Sequence, residues 1–66
     1  MNVIYRADMR YPFPPGRELV EEEMAVEDLP PLAKRAIARD GLEACLKDWF
    51  LWESLDMTIW WSVRLP

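Results

Sequence analysis

Both ends of the chain alternate between apolar and polar residues with a period of two. At one end Val3, Tyr5, Ala7, Met9 and Tyr11 interleave with Asn2, Ile4, Arg6, Asp8 and Arg10; at the other Met57, Ile59, Trp61, Val63 and Leu65 interleave with Asp56, Thr58, Trp60, Ser62 and Arg64. Successive strand side chains point to opposite faces, so each segment is predicted as a strand with one covered and one open face. A lone strand leaves its backbone groups unsatisfied, and a two-stranded ribbon needs cover over its apolar side. The two terminal strands are therefore expected to pair with each other beneath the intervening chain.

The intervening chain reads as helical. Tyr11-Pro12-Phe13-Pro14-Pro15-Gly16 ends the first strand as a rigid loop, because proline donates no backbone bond and holds its predecessor extended. From Arg17 to Glu27 the sequence is rich in Glu, with Leu19, Val20, Met24 and Val26 spaced for a short amphipathic helix. Asp28-Leu29-Pro30-Pro31 has the form of a helix start, a capping carboxylate followed by prolines in the first turn. Leu29, Leu32, Ala33, Ala36 and Ile37 then fall on one helical face, and Asp40-Gly41 marks its end. Asp40 with Glu43 three residues on suggests a capping box for a second helix carrying Leu42, Cys45, Leu46, Trp49, Phe50 and Trp52 and stopping near Ser54. The expected fold is α+β: a small two-stranded sheet formed by the N- and C-terminal strands, packed on one face by two or three helices, as a single compact domain over residues 1–66. Two intervening helices bring the last strand back antiparallel, whereas a third at residues 17–27 can reverse it.

Sixty-six residues leave room for one core and no deep pocket beside it. With one Cys and no His, the chain cannot staple itself with a disulfide and lacks the ligands of zinc and iron–sulfur sites. Stability must come from bulk, here four Trp, two Phe and two Tyr, with Trp49, Phe50, Trp52 and Trp61 expected in the core. Cys45, flanked by Ala44 and Leu46, reads as a small buried apolar residue, and without His no catalytic dyad is available to it. Acid pairs such as Asp48 and Glu53 lack a nucleophile, an oxyanion donor set or a phosphate-cradling Gly loop. The expectation is a non-enzymatic protein with no cofactor and no metal. No basic segment followed by an apolar run opens the sequence, and its longest apolar run, Trp49–Trp52, is far below the roughly 20 residues of a membrane span. A reducing cytoplasm is the expected compartment.

Charge is the most informative feature. Within a net charge of −4, residues 18–28 hold six acids, Glu18, Glu21, Glu22, Glu23, Glu27 and Asp28, and no base. A second acidic stretch over residues 40–56 sets Asp40, Glu43, Asp48, Glu53 and Asp56 against Lys47 alone. The remaining positive charge gathers at Lys34, Arg35 and Arg39 and on the polar sides of the terminal strands at Arg6, Arg10 and Arg64. If residues 17–27 are helical, Glu18, Glu21 and Glu22 share a face and stand about 5–6 Å apart, a spacing that imitates a run of phosphates before an arginine-lined groove. The same acids argue against direct contact with nucleic acid, and a helix-turn-helix reader at 29–53 is excluded by Glu43, Asp48 and Glu53 on its second helix. An ordinary solvated Glu-rich face is the competing explanation, yet six acids in eleven residues exceed what solubility needs.

In its small size, acidity, lack of catalytic residues and the acidic run Glu18 to Asp28, the chain resembles the anti-CRISPR proteins encoded by phages and mobile elements. That resemblance is one of general character and involves no shared motif. It implies a stoichiometric inhibitor, cytoplasmic in a bacterial host, whose acidic face mimics DNA phosphates and blocks a basic DNA- or PAM-binding site. The implied partner is a larger protein or ribonucleoprotein complex with a basic surface, met by a monomer, with no membrane involved. The alternative is a small accessory or structural subunit docking through an aromatic surface. Trp60 is its candidate anchor, because it stands on the polar side of the last strand with Thr58, Ser62 and Arg64. Partner-binding residues are thus expected among Glu18, Glu21, Glu22, Glu23, Glu27, Asp28 and Trp60. The prolines at 12, 14 and 15 read as loop stiffeners ahead of a polyproline ligand.

Overall fold

The computed structural model describes all residues, Met1–Pro66. Four antiparallel strands form one sheet: β1 (Asn2–Pro12), β2 (Pro15–Ala25), β3 (Phe50–Glu53) and β4 (Thr58–Arg64), in the order β2-β1-β4-β3. A single 3₁₀ turn at Val26–Asp28 leads into α1 (Pro31–Asp40) and a one-turn α2 (Leu42–Cys45). The terminal strands pair antiparallel, Ala7 opposite Trp61 and Tyr5 opposite Val63. At about 3.4 Å per residue the 11-residue strands β1 and β2 run the 36 Å length of the molecule.

Two segments overturn the two-stranded expectation, and both change helix into strand. Residues 17–25 form most of β2, which pairs with β1 along its whole length from Pro12 opposite Pro15 to Asn2 opposite Ala25. Glu favours helices intrinsically, but the long ladder supplies backbone bonds at every second position, and the side chains of an edge strand can stay wet on both faces. The loop at 11–16 is accordingly the tip of a hairpin: only Phe13 and Pro14, joined by a cis peptide, lie between the paired Pro12 and Pro15. The expected second helix stops at Cys45, and Phe50–Glu53 becomes the edge strand β3, with Phe50 opposite Trp61 and Trp52 opposite Ile59. Aromatic residues favour strands, and alternation now sends Phe50 and Trp52 inward and Leu51 and Glu53 outward.

α1 is the one multi-turn helix. It begins at the proline pair, although Asp28 does not cap it: Asp28 lies in the 3₁₀ turn, and Pro30 stands at the cap position with no side-chain bond. It ends at Gly41, whose φ of 86° and ψ of 152° belong to a region glycine almost alone occupies, and whose N–H donates to the Ile37 carbonyl at 2.8 Å. Asp40 caps nothing. Its carboxylate accepts three bonds from the Arg39 guanidinium at 2.8–3.1 Å, and α2 has no side-chain cap, so the expected capping box does not form.

The core lies between the sheet and this helical layer. Val3, Ala7, Ile59, Trp61 and Val63 from the sheet meet Leu29, Ala33, Ala36 and Cys45. Trp61 is the largest of these side chains, 4 % exposed and stacked on Phe50 with ring centroids 4.5 Å apart. Cys45 is fully buried, as its sequence context suggests, and burial pushes its thiol upward from the ordinary range. Phe50 and Trp52 are half-buried against the core, whereas Trp49 leaves it altogether and is 47 % exposed.

Candidate functional site: an acidic edge and an aromatic basin

Pairing register decides where each acid of β2 points. Residues directly opposite one another share a sheet face, so Glu18 and Glu22, opposite Met9 and Tyr5, lie on the helix side, while Glu21 and Glu23, opposite Arg6 and Ile4, lie on the open side. The single helical row of Glu18, Glu21 and Glu22 is therefore replaced by two rows flanking one edge of the sheet. Neighbours within a row are about 6.8 Å apart, or twice that from Glu18 to Glu22. Glu27 and Asp28 extend the negative charge around the end of the strand on the exposed 3₁₀ turn.

These carboxylates differ in how far the protein itself uses them. Glu21 is taken up by Arg64, whose Nη2 donates to Oε1 at 2.7 Å across β1. Glu23 accepts from Asn2 Nδ2 at 3.2 Å, and Glu18 from the Tyr11 hydroxyl at 3.4 Å. Glu22, Glu27 and Asp28 have neither a side-chain hydrogen bond nor a cation within ion-pair distance; Lys34 reaches only the backbone carbonyl of Glu27, at 3.2 Å. Five of the six acids of the tract are thus unmatched by a cation.

The open face has a different character. No helix covers it, and its charges balance: Arg6, Arg10, Arg17 and Arg64 stand among Asp8, Glu21, Glu23 and Glu53. Asp8 sits at the centre, its side chain 17 % exposed, and accepts two parallel bonds from Arg17, Nε to Oδ1 and Nη2 to Oδ2, both at 3.0 Å, with Arg10 at 3.5 Å. The Arg17 hydrogen bonds, reinforced by the nearby positive charges, hold the Asp8 carboxyl below its usual range.

Beside Asp8 the face dips into an open basin of about 400 Å³ lined by Arg6, Asp8, Leu19, Trp49 and Trp60. Trp60 is opposite Asp8 on β1 and Leu51 on β3, and is 42 % exposed. The Arg6 guanidinium stands over the Trp49 ring at 5.4 Å from its centroid. Trp60 was singled out from strand alternation alone; Trp49, Leu19 and Leu51 join it only because residues 17–25 and 50–53 are strands. No period in the sequence marked the second segment, since Trp49-Phe50-Leu51-Trp52 is apolar at every position.

The structure thus brings Glu21, Glu23 and Trp60 to the open face, sets Glu18 and Glu22 behind the same edge, and leaves Glu27 and Asp28 at its end. No helix is long and apolar enough to cross a membrane. Comparison with protein-family models, curated proteins and solved structures finds no match.

Proposed function

We propose that this protein is a non-enzymatic inhibitor of the anti-CRISPR kind, binding a nucleic-acid-handling complex through the acidic edge of β2 and occupying a basic site that otherwise holds DNA phosphates. One observation carries the proposal: β2 and the turn after it present six carboxylates along a free sheet edge, and only Glu21 has an internal cation. Carboxylates that stabilise nothing within the fold are available to a partner's Lys and Arg. Their placement on both sides of one strand gives a narrow negative ridge, a shape suited to entering a basic groove. Pairing Glu21 with Arg64, Glu23 with Asn2 and Glu18 with Tyr11 moves the weight of the proposal to Glu22, Glu27 and Asp28.

A second reading has its own observation. Trp60, Trp49 and Leu19 converge on the open basin, and partly exposed aromatics beside Arg are the composition of interface hot spots. The protein would then be an accessory subunit docking through an aromatic surface.

The two separate in one assay. Labelled target DNA is bound to purified CRISPR effector ribonucleoproteins in the presence of the protein. The Glu22→Gln, Glu27→Gln, Asp28→Asn triple variant is expected to lose DNA displacement while Trp60→Ala retains it. The opposite pattern would transfer the function to the basin.

A further inference from the structure

The sheet has a second free edge, and it is built unlike the first. β3 stands last in the strand order and pairs only with β4; none of the backbone bonds outside the regular elements involves residues 50–53. In an antiparallel ladder every second residue turns its N–H and C=O away from the neighbouring strand, so about half of the β3 backbone groups face outward without a partner.

Alongside this edge runs a groove of about 230 Å³ between β3 and α1, with Leu32, Ala36, Phe50 and Trp52 among its apolar walls and Arg35 and Arg39 of α1 as its charged ones. Arg39 is already engaged by Asp40. Arg35 is exposed and makes no hydrogen bond or ion pair. A free strand edge beside a helix, with an apolar slot between them, is the arrangement in which an incoming extended peptide extends the sheet and lays alternate side chains into the slot.

We propose that this groove receives an extended segment of another protein, adding as a fifth strand beside β3 and carrying an apolar residue and a carboxylate at successive positions on the helix side. The apolar side chain fills the slot by Leu32 and Phe50, and the carboxylate, about 6.8 Å along the strand, meets Arg35. Glu53 lies on the opposite face of β3, so acids on the other side of the incoming strand are disfavoured. The required pattern is therefore one-sided.

Charge also decides against a second copy of this chain as occupant. Two β3 edges joined antiparallel about a twofold axis would gather both copies' unpaired Arg35 on one side of the merged sheet. Head-to-tail addition of a second copy's β2 brings together whole molecules of net charge −4 and leaves the array open-ended. A short foreign strand meets neither obstacle.

The test uses the whole protein and the acetylated, amidated peptide Thr-Val-Thr-Glu-Thr, with a Lys-for-Glu version as control. Expected are a change in tryptophan emission on titration, slowed amide exchange confined to residues 50–53, and affinity at least roughly tenfold lower both for the Lys peptide on the unaltered protein and for the Glu peptide on Arg35→Glu. Equal affinity for the two peptides, unchanged exchange in β3, or concentration-dependent self-association abolished by Arg35→Glu would each overturn the proposal.

Discussion

The two edges of the sheet are held in place by different forces. β3 is short and anchored by side chains: Phe50 stacks on Trp61, Trp52 packs toward the core, and four ladder positions suffice. β2 is nearly three times as long and has no fully buried residue; eleven ladder positions, the half-buried Val20 and Met24, and the Asp8–Arg17 and Arg64–Glu21 pairs hold it. Both edges pair on one side only, but β3 commits its side chains to the core, whereas β2 keeps most of its carboxylates free of internal cations.

That contrast can be broken first at its strong end. Trp61→Ala removes the ring beneath β3 and is expected to cost about 3–5 kcal/mol, enough to unfold much of a domain this small at ambient temperature. Urea unfolding followed by circular dichroism measures it, and a cost under about 1 kcal/mol would mean that β3 is not anchored through this stack. Next in size is the connection that delivers the chain to β3. An added Cβ at Gly41 would meet nothing within 4 Å, so the expected destabilisation of Gly41→Ala, about 1–3 kcal/mol, is purely one of backbone conformation. A Gly41→Ala protein as stable as the parent would show that this backbone conformation is dispensable.

The β2 end is expected to be tolerant and sensitive to pH. Asp8 has a carboxyl pKa lowered in the folded state, so its contribution is present above the ordinary carboxylate value near 3.8 and is lost as pH falls through the lower, folded value. Acid unfolding of Arg17→Ala should therefore begin at higher pH than that of the parent, and identical acid profiles would show that the pair does not pin β2. Smallest of all is Arg64→Ala. Its ion pair with Glu21 has both side chains at least half exposed, so the expected loss is within about 1 kcal/mol and shrinks with added salt.

The parts legible from sequence were those that bury a face. β1 and β4 each have one covered side, so a period of two is written into them, and α1 has its proline start, apolar stripe and Gly41 stop. β2 was illegible because an edge strand exposed on both faces carries no hydrophobic period: Glu21-Glu22-Glu23 is consistent with a helix until β1 is seen to need a second partner. β3 was illegible for the opposite reason, since Trp49-Phe50-Leu51-Trp52 is apolar at every position and conceals which side is covered. The candidate site followed the same division. Trp60 was placed on the open face by β4 alternation, and the acids were identified by charge density alone, but their arrangement required the register with β1. Trp49 and Leu19 became part of the site only through the two misread segments.

Salt dependence of partner binding tests the central claim most directly. If the proposed function holds, affinity for a CRISPR effector complex measured from low to high ionic strength falls steeply, and the Glu22→Gln, Glu27→Gln, Asp28→Asn variant folds with stability within about 0.5 kcal/mol of the parent, binds weakly and shows a flatter slope. Unchanged affinity and an unchanged slope in a folded variant would contradict an acidic edge as the binding surface.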